Sequence, residues 1–224
     1  ALEIGDEPMQ FHQKFKNVSV AVGEERVVAI PQLLHQLPQT EVIILDDAFQ
    51  HRQVMAGLNI ILTDYSNLYT RDFILPAGDL RDVRSSSKRA QIIIVTKCNP
   101  ALTVIEKEKI ITEIAPSSDQ AVYFTTIVYD FPFHLFTKET INITADYGVL
   151  LVCGIANPAP LKAHLAQQVD SYDMLRYPDH HIFHSNDLND IKQQFKKIKA
   201  DKKIVLTTEK DAVRLEKFRD ELQD

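Results

Sequence analysis

Residues 41–52 read EVIILDDAFQHR. Four consecutive apolar residues, Val42 to Leu45, run straight into two acids, Asp46 and Asp47. An apolar run without polar alternation suits a parallel strand covered on both faces. Carboxylates at its end then lie at the C-terminal edge of the sheet, where open α/β folds bind ligands. Similar runs recur on either side: Val18 to Val22, Ile60 to Thr63, Ile92 to Thr96, Tyr123 to Thr125, Leu150 to Cys153 and Ile204 to Leu206. Helical patterns lie between them. Val28, Leu33, Leu34 and Leu37 form one, and Ile105, Ile111 and Ile114 another. Leu188, Ile191, Phe195 and Ile198 form a third, with Ser185 or Asn186 placed to cap its start. Strands alternating with helices predict an α/β fold with a doubly wound, mostly parallel sheet and helices on both faces. Val128 to Tyr147 breaks the rhythm with aromatic and Thr-rich pieces and reads as a hairpin or linker. The expected organisation is therefore a larger domain over 1–127, a linker over 128–147 and a smaller α/β domain over 148–224.

The 224 residues are 45% apolar and 25% charged, which excludes disordered, fibrous and coiled-coil classes. No apolar run approaches the ~18 residues that span a bilayer, and no secretory signal opens the chain. Cys98 and Cys153 sit beside apolar runs without metal-ligand spacing, as reduced core thiols of a cytosolic protein would. A formal charge of −6 argues against nucleic-acid binding. None of the six glycines falls in a GxGxxG or GxxxxGK[ST] arrangement, so this stretch carries no glycine-rich phosphate cradle.

Five short motifs carry side chains capable of chemistry. Asp46 and Asp47 suit Mg²⁺ beside a phosphate, or Asp47 simply caps the next turn. In LPAGDLRD (75–82), Arg81 is either a bidentate phosphate donor or half of a surface ion pair. In GDEP (5–8), Asp6 and Glu7 are either turn acids or a base with a metal or water ligand. YPDHH (177–181) sets Asp179 beside His180 and His181, where an imidazole can tune a carboxylate or merely lie exposed. In TTEKDAVRL (207–215), a capping box accounts for Thr208 and Asp211, and Lys210 is left to face an anion.

Taken in order, GDEP, VGEERV, LDDAFQHR, LPAGDLRD, GIANP, YPDHH and TTEKDAVRL closely resemble the tetraacyldisaccharide 4′-kinase family of lipid A biosynthesis in Gram-negative bacteria. The likeness runs from Gly5 to Leu215. It implies a P-loop-kinase-like sheet with a smaller C-terminal α/β domain. It also implies transfer of the ATP γ-phosphate to the 4′-hydroxyl of tetraacyldisaccharide 1-phosphate, giving lipid IV-A, with ATP and Mg²⁺. By resemblance, Asp6 is the base, His180 tunes it, and Asp46 and Asp47 hold Mg²⁺. Glu7, Arg26, Gln50 and Arg81 lie around the phosphates or the metal. The implied partners are the lipid-linked disaccharide and the cytoplasmic face of the inner membrane, met peripherally through an N-terminal segment; nucleic acid is not among them.

The family usually has glycine where Ala48 stands, a departure expected to have a minor effect, and most often glutamate where Asp82 stands, which keeps the charge on a shorter arm. Family members also carry a membrane-associating segment and a GGxGKTP P-loop ahead of GDEP. The 224 residues thus read as a fragment expected to transfer phosphate poorly or not at all. Two other classes fit the residues. One is an α/β binding module without turnover, and the other is a Mg²⁺-dependent phosphohydrolase using Asp46 and Asp47.

Overall fold

A computed structural model describes residues 4–222. Its contacts divide the chain into two units. One is Gly23–Val128; the other joins the residues up to Val22 to those from Tyr129 onward.

Helix α1 (Asp6–Lys14) belongs to the other unit; the Gly23–Val128 unit begins its regular structure with the helix α2 (Arg26–Gln36). A parallel sheet of β1 (Ile60–Asp64), β2 (Ile92–Thr96) and β3 (Ala121–Phe124) follows, in that order, with Ile60 opposite Ile92 and Ile92 opposite Ala121. The central strand, IIIVT, is the most apolar, and its Ile93 and Val95 are fully buried with Leu68, Cys98, Ile110 and Ile114. The last two belong to α3 (Val104–Ile114). That helix starts where Thr103 accepts from the Glu106 N–H and Glu106 accepts from the Thr103 N–H. It stops at Ala115 in the left-handed region.

Two expected strands are absent. Val18–Val22 and Val42–Leu45 have no ladder partner, and Val42 and Ile44 stay 75% and 89% exposed. An apolar run becomes a strand only when a neighbour takes its backbone N–H and C=O groups, and neither run has one among the described residues.

The second unit has a parallel sheet ordered β5-β4-β6, from β4 (Tyr147–Cys153), β5 (Tyr172–Arg176) and β6 (Lys202–Thr207). β4 is covered on both faces, as its unbroken apolar sequence requires. Val149, Leu151 and Cys153 pack with Leu165 of α4 (Ala159–Leu165), while Leu150 and Val152 pack with Phe183, Leu215 and Ile191 of α5 (Ser185–Lys197). The stripe Leu188, Ile191, Phe195, Ile198 faces this core as its spacing predicts. The residue capping its start is His184 rather than Ser185 or Asn186, and the His184 N–H donates to Asp187 Oδ2 at 2.8 Å. β5 escapes the sequence pattern because YDMLR mixes charge into the strand. Along the chain between the two units' sheets, within 128–147, an isolated antiparallel bridge joins Phe133 to Thr140. After β6 come α6 (Glu209–Leu215) and α7 (Arg219–Leu222), and α1 packs on α6 with Lys14 against Glu209.

Candidate functional site

All three strands of the C-terminal sheet run the same way, so their following loops meet at one edge. Gly154 follows β4, Tyr177 to His181 follow β5, and Thr208 opens α6 after β6. The first turn of α1 lies against this edge, entered through Gly5 at φ 90°, a conformation that favours glycine.

Asp6, the first residue of α1, meets Arg214 of α6 there. Arg214 Nε donates to Asp6 Oδ2 at 2.7 Å, and Nη2 lies 2.6 Å from the same oxygen. The Arg214 side chain is only 5% exposed, and its Nη1 donates to Oδ1 of the fully buried Asp211 at 3.3 Å. Partial burial pushes the Asp6 carboxyl up, but the hydrogen bond and charge of Arg214, with a smaller contribution from His180, hold it below the usual carboxylate range.

His180 stands beside this pair with its backbone in the left-handed region (φ 57°) and its N–H donated to Asp179 Oδ1. Its Nδ1 lies 3.6 Å from Asp6 Oδ2, beyond a direct hydrogen bond, and 3.3 Å from Arg214 Nη2. Lys210 reaches three groups: His180 Nε2 at 3.4 Å, Asp179 at 3.6 Å and Glu7 at 3.8 Å. The structure thus brings Asp6, Glu7, His180 and Lys210 together. Asp-x-x-Arg at Asp211 signals in the sequence only a pair one helical turn apart, and nothing local to Arg214 points to Asp6, 208 positions away. Asp211 does more than cap: its Oδ2 accepts from Gly154 N–H and Thr208 Oγ1.

The Gly23–Val128 unit holds the other candidates. Arg81 clasps Asp47 through two nitrogens, one at 2.9 Å. That hydrogen bond, opposed by burial and helped by the charges of Arg81, Arg26 and His51, keeps the Asp47 carboxyl low. Asp47 itself takes the left-handed conformation (φ 47°), which aspartate tolerates, while Ala48 does not need it. Arg26 and Gln50 line a hollow of about 350 Å³ with Glu25, His51 and Arg52. Arg52 and Arg89 both bind Asp82, whose carboxyl is lowered to about 2, chiefly by the Arg52 hydrogen bond. Arg89 also lies 4.1 Å over the Phe49 ring.

Asp46 is exposed and unpaired among the described residues. No three carboxylate, imidazole or thiolate groups converge as a metal site among those residues. Magnesium does not require three, because it commonly takes one or two carboxylates plus phosphate oxygens and water. The hard oxygens of Asp46 and Asp47 fit it, with Asp46 the carboxylate not already held by a cation.

The family model described as tetraacyldisaccharide-1-P 4′-kinase matches residues 1–223. The chain belongs to this family. Proteins named tetraacyldisaccharide 4′-kinase from Bacteroides thetaiotaomicron and Flavobacterium psychrophilum are 42% and 44% identical to it, over 96% and 95% of the chain. One of the same name from Porphyromonas gingivalis is 35% identical over 96%. The chain spans about 60% of the length of these relatives. No solved structure matches it. Both side-chain clusters lie inside the stretch matched by the tetraacyldisaccharide-1-P 4′-kinase model, and no described helix is long and apolar enough to cross a membrane.

Proposed function

We propose that the protein transfers the γ-phosphate of ATP to the 4′-hydroxyl of tetraacyldisaccharide 1-phosphate, with Asp6 as the base. The observation that carries this reading is the Asp6 carboxylate, held ionised by Arg214 at a sheet edge, in a chain of the tetraacyldisaccharide-1-P 4′-kinase family. Phosphoryl transfer asks little covalent chemistry of the protein; it asks for positioning and for charge around the moving group. Asp6 accepts the proton of the sugar hydroxyl, a poor nucleophile at neutral pH. His180 tunes that carboxylate from its left-handed turn. Arg26, Gln50 and Arg81 bind phosphate oxygens, and Glu7 orients the groups beside Asp6. Asp46 and Asp47 would hold Mg²⁺, which when bound neutralises phosphate charge. In this reading Arg81 releases Asp47 when a phosphate takes its place.

The finer fold assignment belongs to the same proposal: residues 1–127 form part of a P-loop-kinase domain, 128–147 the link and 148–224 a smaller domain. The protein works at the cytoplasmic face of the inner membrane, where its acylated substrate lies. The test is direct. The full-length protein, given radiolabelled ATP and tetraacyldisaccharide 1-phosphate, should yield the 4′-phosphorylated product. Asp6→Ala should lower kcat by about 10² to 10⁴ with little change in ATP affinity, as loss of a general base does. Near-wild-type turnover of that variant would remove Asp6 from the mechanism.

A further inference from the structure

We infer that Arg214 is a positioning residue for Asp6, holding its Oδ2 so that Oδ1 takes the proton of the acceptor hydroxyl. This rests on the reading of Asp6 as the base. Both Nε and Nη2 of Arg214 converge on Oδ2, at 2.7 and 2.6 Å, and among the described residues Oδ1 accepts nothing. A carboxylate held by one oxygen has its other oxygen aimed, and a guanidinium can do this because its donors are fixed in one plane.

The guanidinium is itself held from behind. Asp211 is fully buried, and it is fastened to the ends of two strands: Gly154 N–H after β4 donates to its Oδ2 at 2.9 Å, and Thr208 Oγ1 after β6 does so at 2.8 Å. A Cβ on Gly154 would sit 2.9 Å from Asp211 Oδ1, so the absence of a side chain there lets the acid approach. Asp211 then receives Arg214 Nη1 at 3.3 Å. The order Gly154, Asp211, Arg214, Asp6 ties the base to the rigid sheet edge rather than to the mobile tip of a loop. Lys210 is no substitute, since it faces Glu7, Asp179 and His180.

In the transfer step the acceptor O–H bond breaks as its proton passes to Asp6 Oδ1 and the oxygen bonds to the γ-phosphorus. The bond from that phosphorus to the bridging oxygen breaks, and its electron pair leaves with ADP. Asp6 later returns its proton to solvent. Arg214 makes and breaks no bond; it sets where Oδ1 stands, and a displacement of about 1 Å costs about 100-fold in rate.

A double-mutant cycle in the full-length protein tests this, with turnover measured on ATP and tetraacyldisaccharide 1-phosphate. Arg214→Met should lower kcat about 100-fold while both KM values stay within about threefold, because only the reacting geometry is lost. In an Asp6→Asn background the same change should cost less than about twofold, because a residue acting through Asp6 has nothing left to position. An equal fall in both backgrounds, or Arg214→Met turning over within about threefold of wild type, would overturn the inference. Should Arg214→Met not fold, Arg214→Lys carries the test. A single ammonium cannot reach Asp6 and Asp211 in the same way, so kcat should fall about tenfold, again only when Asp6 is present. Failure of the underlying reading looks different: Asp6→Asn alone would then keep wild-type turnover, before any Arg214 variant is made.

Discussion

Arginine-to-carboxylate contacts recur in both units, and their surroundings separate them. Arg214 is buried between Asp6 and Asp211, whereas Arg81 and Asp47 meet in the open, with side chains 52% and 66% exposed. An exposed pair contributes about 0–1 kcal/mol, so Asp47 is easily released to another partner, while a buried pair broken on one side costs several kcal/mol. Arg81→Ala should therefore leave the unfolding midpoint nearly unchanged and raise the KM for ATP. A large stability loss would show that the Arg81–Asp47 pair is structural instead.

Asp82 gives a prediction with a definite pH window. Its folded pKa is about 2, against an ordinary 3.8, so the folded state binds this proton less readily than the unfolded chain. The stabilisation is fully present above pH 3.8 and disappears as pH falls through about 2. Between those limits the urea midpoint of the wild type should fall more steeply than that of Asp82→Asn. Parallel curves would mean that Asp82 titrates alike in both states. Arg81 and the acids of LDDAFQHR were legible as candidates because arginine and paired carboxylates stand out beside glycine and proline. Arg214 was not, because its significance depends on Asp6, 208 positions away.

Among the helices, starts are local and burial is not. Thr103 and Glu106 cap α3 reciprocally, and a Thr-x-x-Glu pattern states this in four letters. Thr103→Ala should cost about 1 kcal/mol by chemical denaturation, and a change below about 0.3 kcal/mol would deny the cap its role. Ile191 makes the contrast: 3% exposed on α5, it fills the side of the core formed by Leu150, Val152 and Phe183. Ile191→Ala should cost about 2–5 kcal/mol, seen as a lower midpoint for the unit that holds α5. The spacing of Leu188, Ile191, Phe195 and Ile198 made that helix readable. Strand formation was less so: IIIVT at 92–96 became the centre of a sheet, while VIIL at 42–45 became no strand. The two runs are alike in composition, and what differs is whether a neighbour meets their backbone groups.

For the whole molecule the main consequence is apolar exposure in the Gly23–Val128 unit. Ile60 and Leu62 project from one face of the edge strand β1 and remain 46% and 66% exposed, in addition to the exposed Val42 and Ile44. Apolar surface of this kind marks contact sites or association hazards. The 224-residue chain should bind an apolar dye such as ANS, and Leu62→Lys should reduce that signal without lowering the helix content; an unchanged signal would place the sticky surface elsewhere. The residues alone were enough for the α/β class, the parallel strands of β4 and β6, the stripe of α5 and the family, because apolar periodicity and motif order are properties of neighbours along the chain. Folding in three dimensions was needed to bring Asp6 to Arg214 and His180, to divide the chain at Val22 and Val128, and to leave two apolar runs unpaired. Charge pairing, compact grouping and ladder formation all act through space, and no spacing within the sequence encodes the distance between residues that meet from opposite ends of the chain.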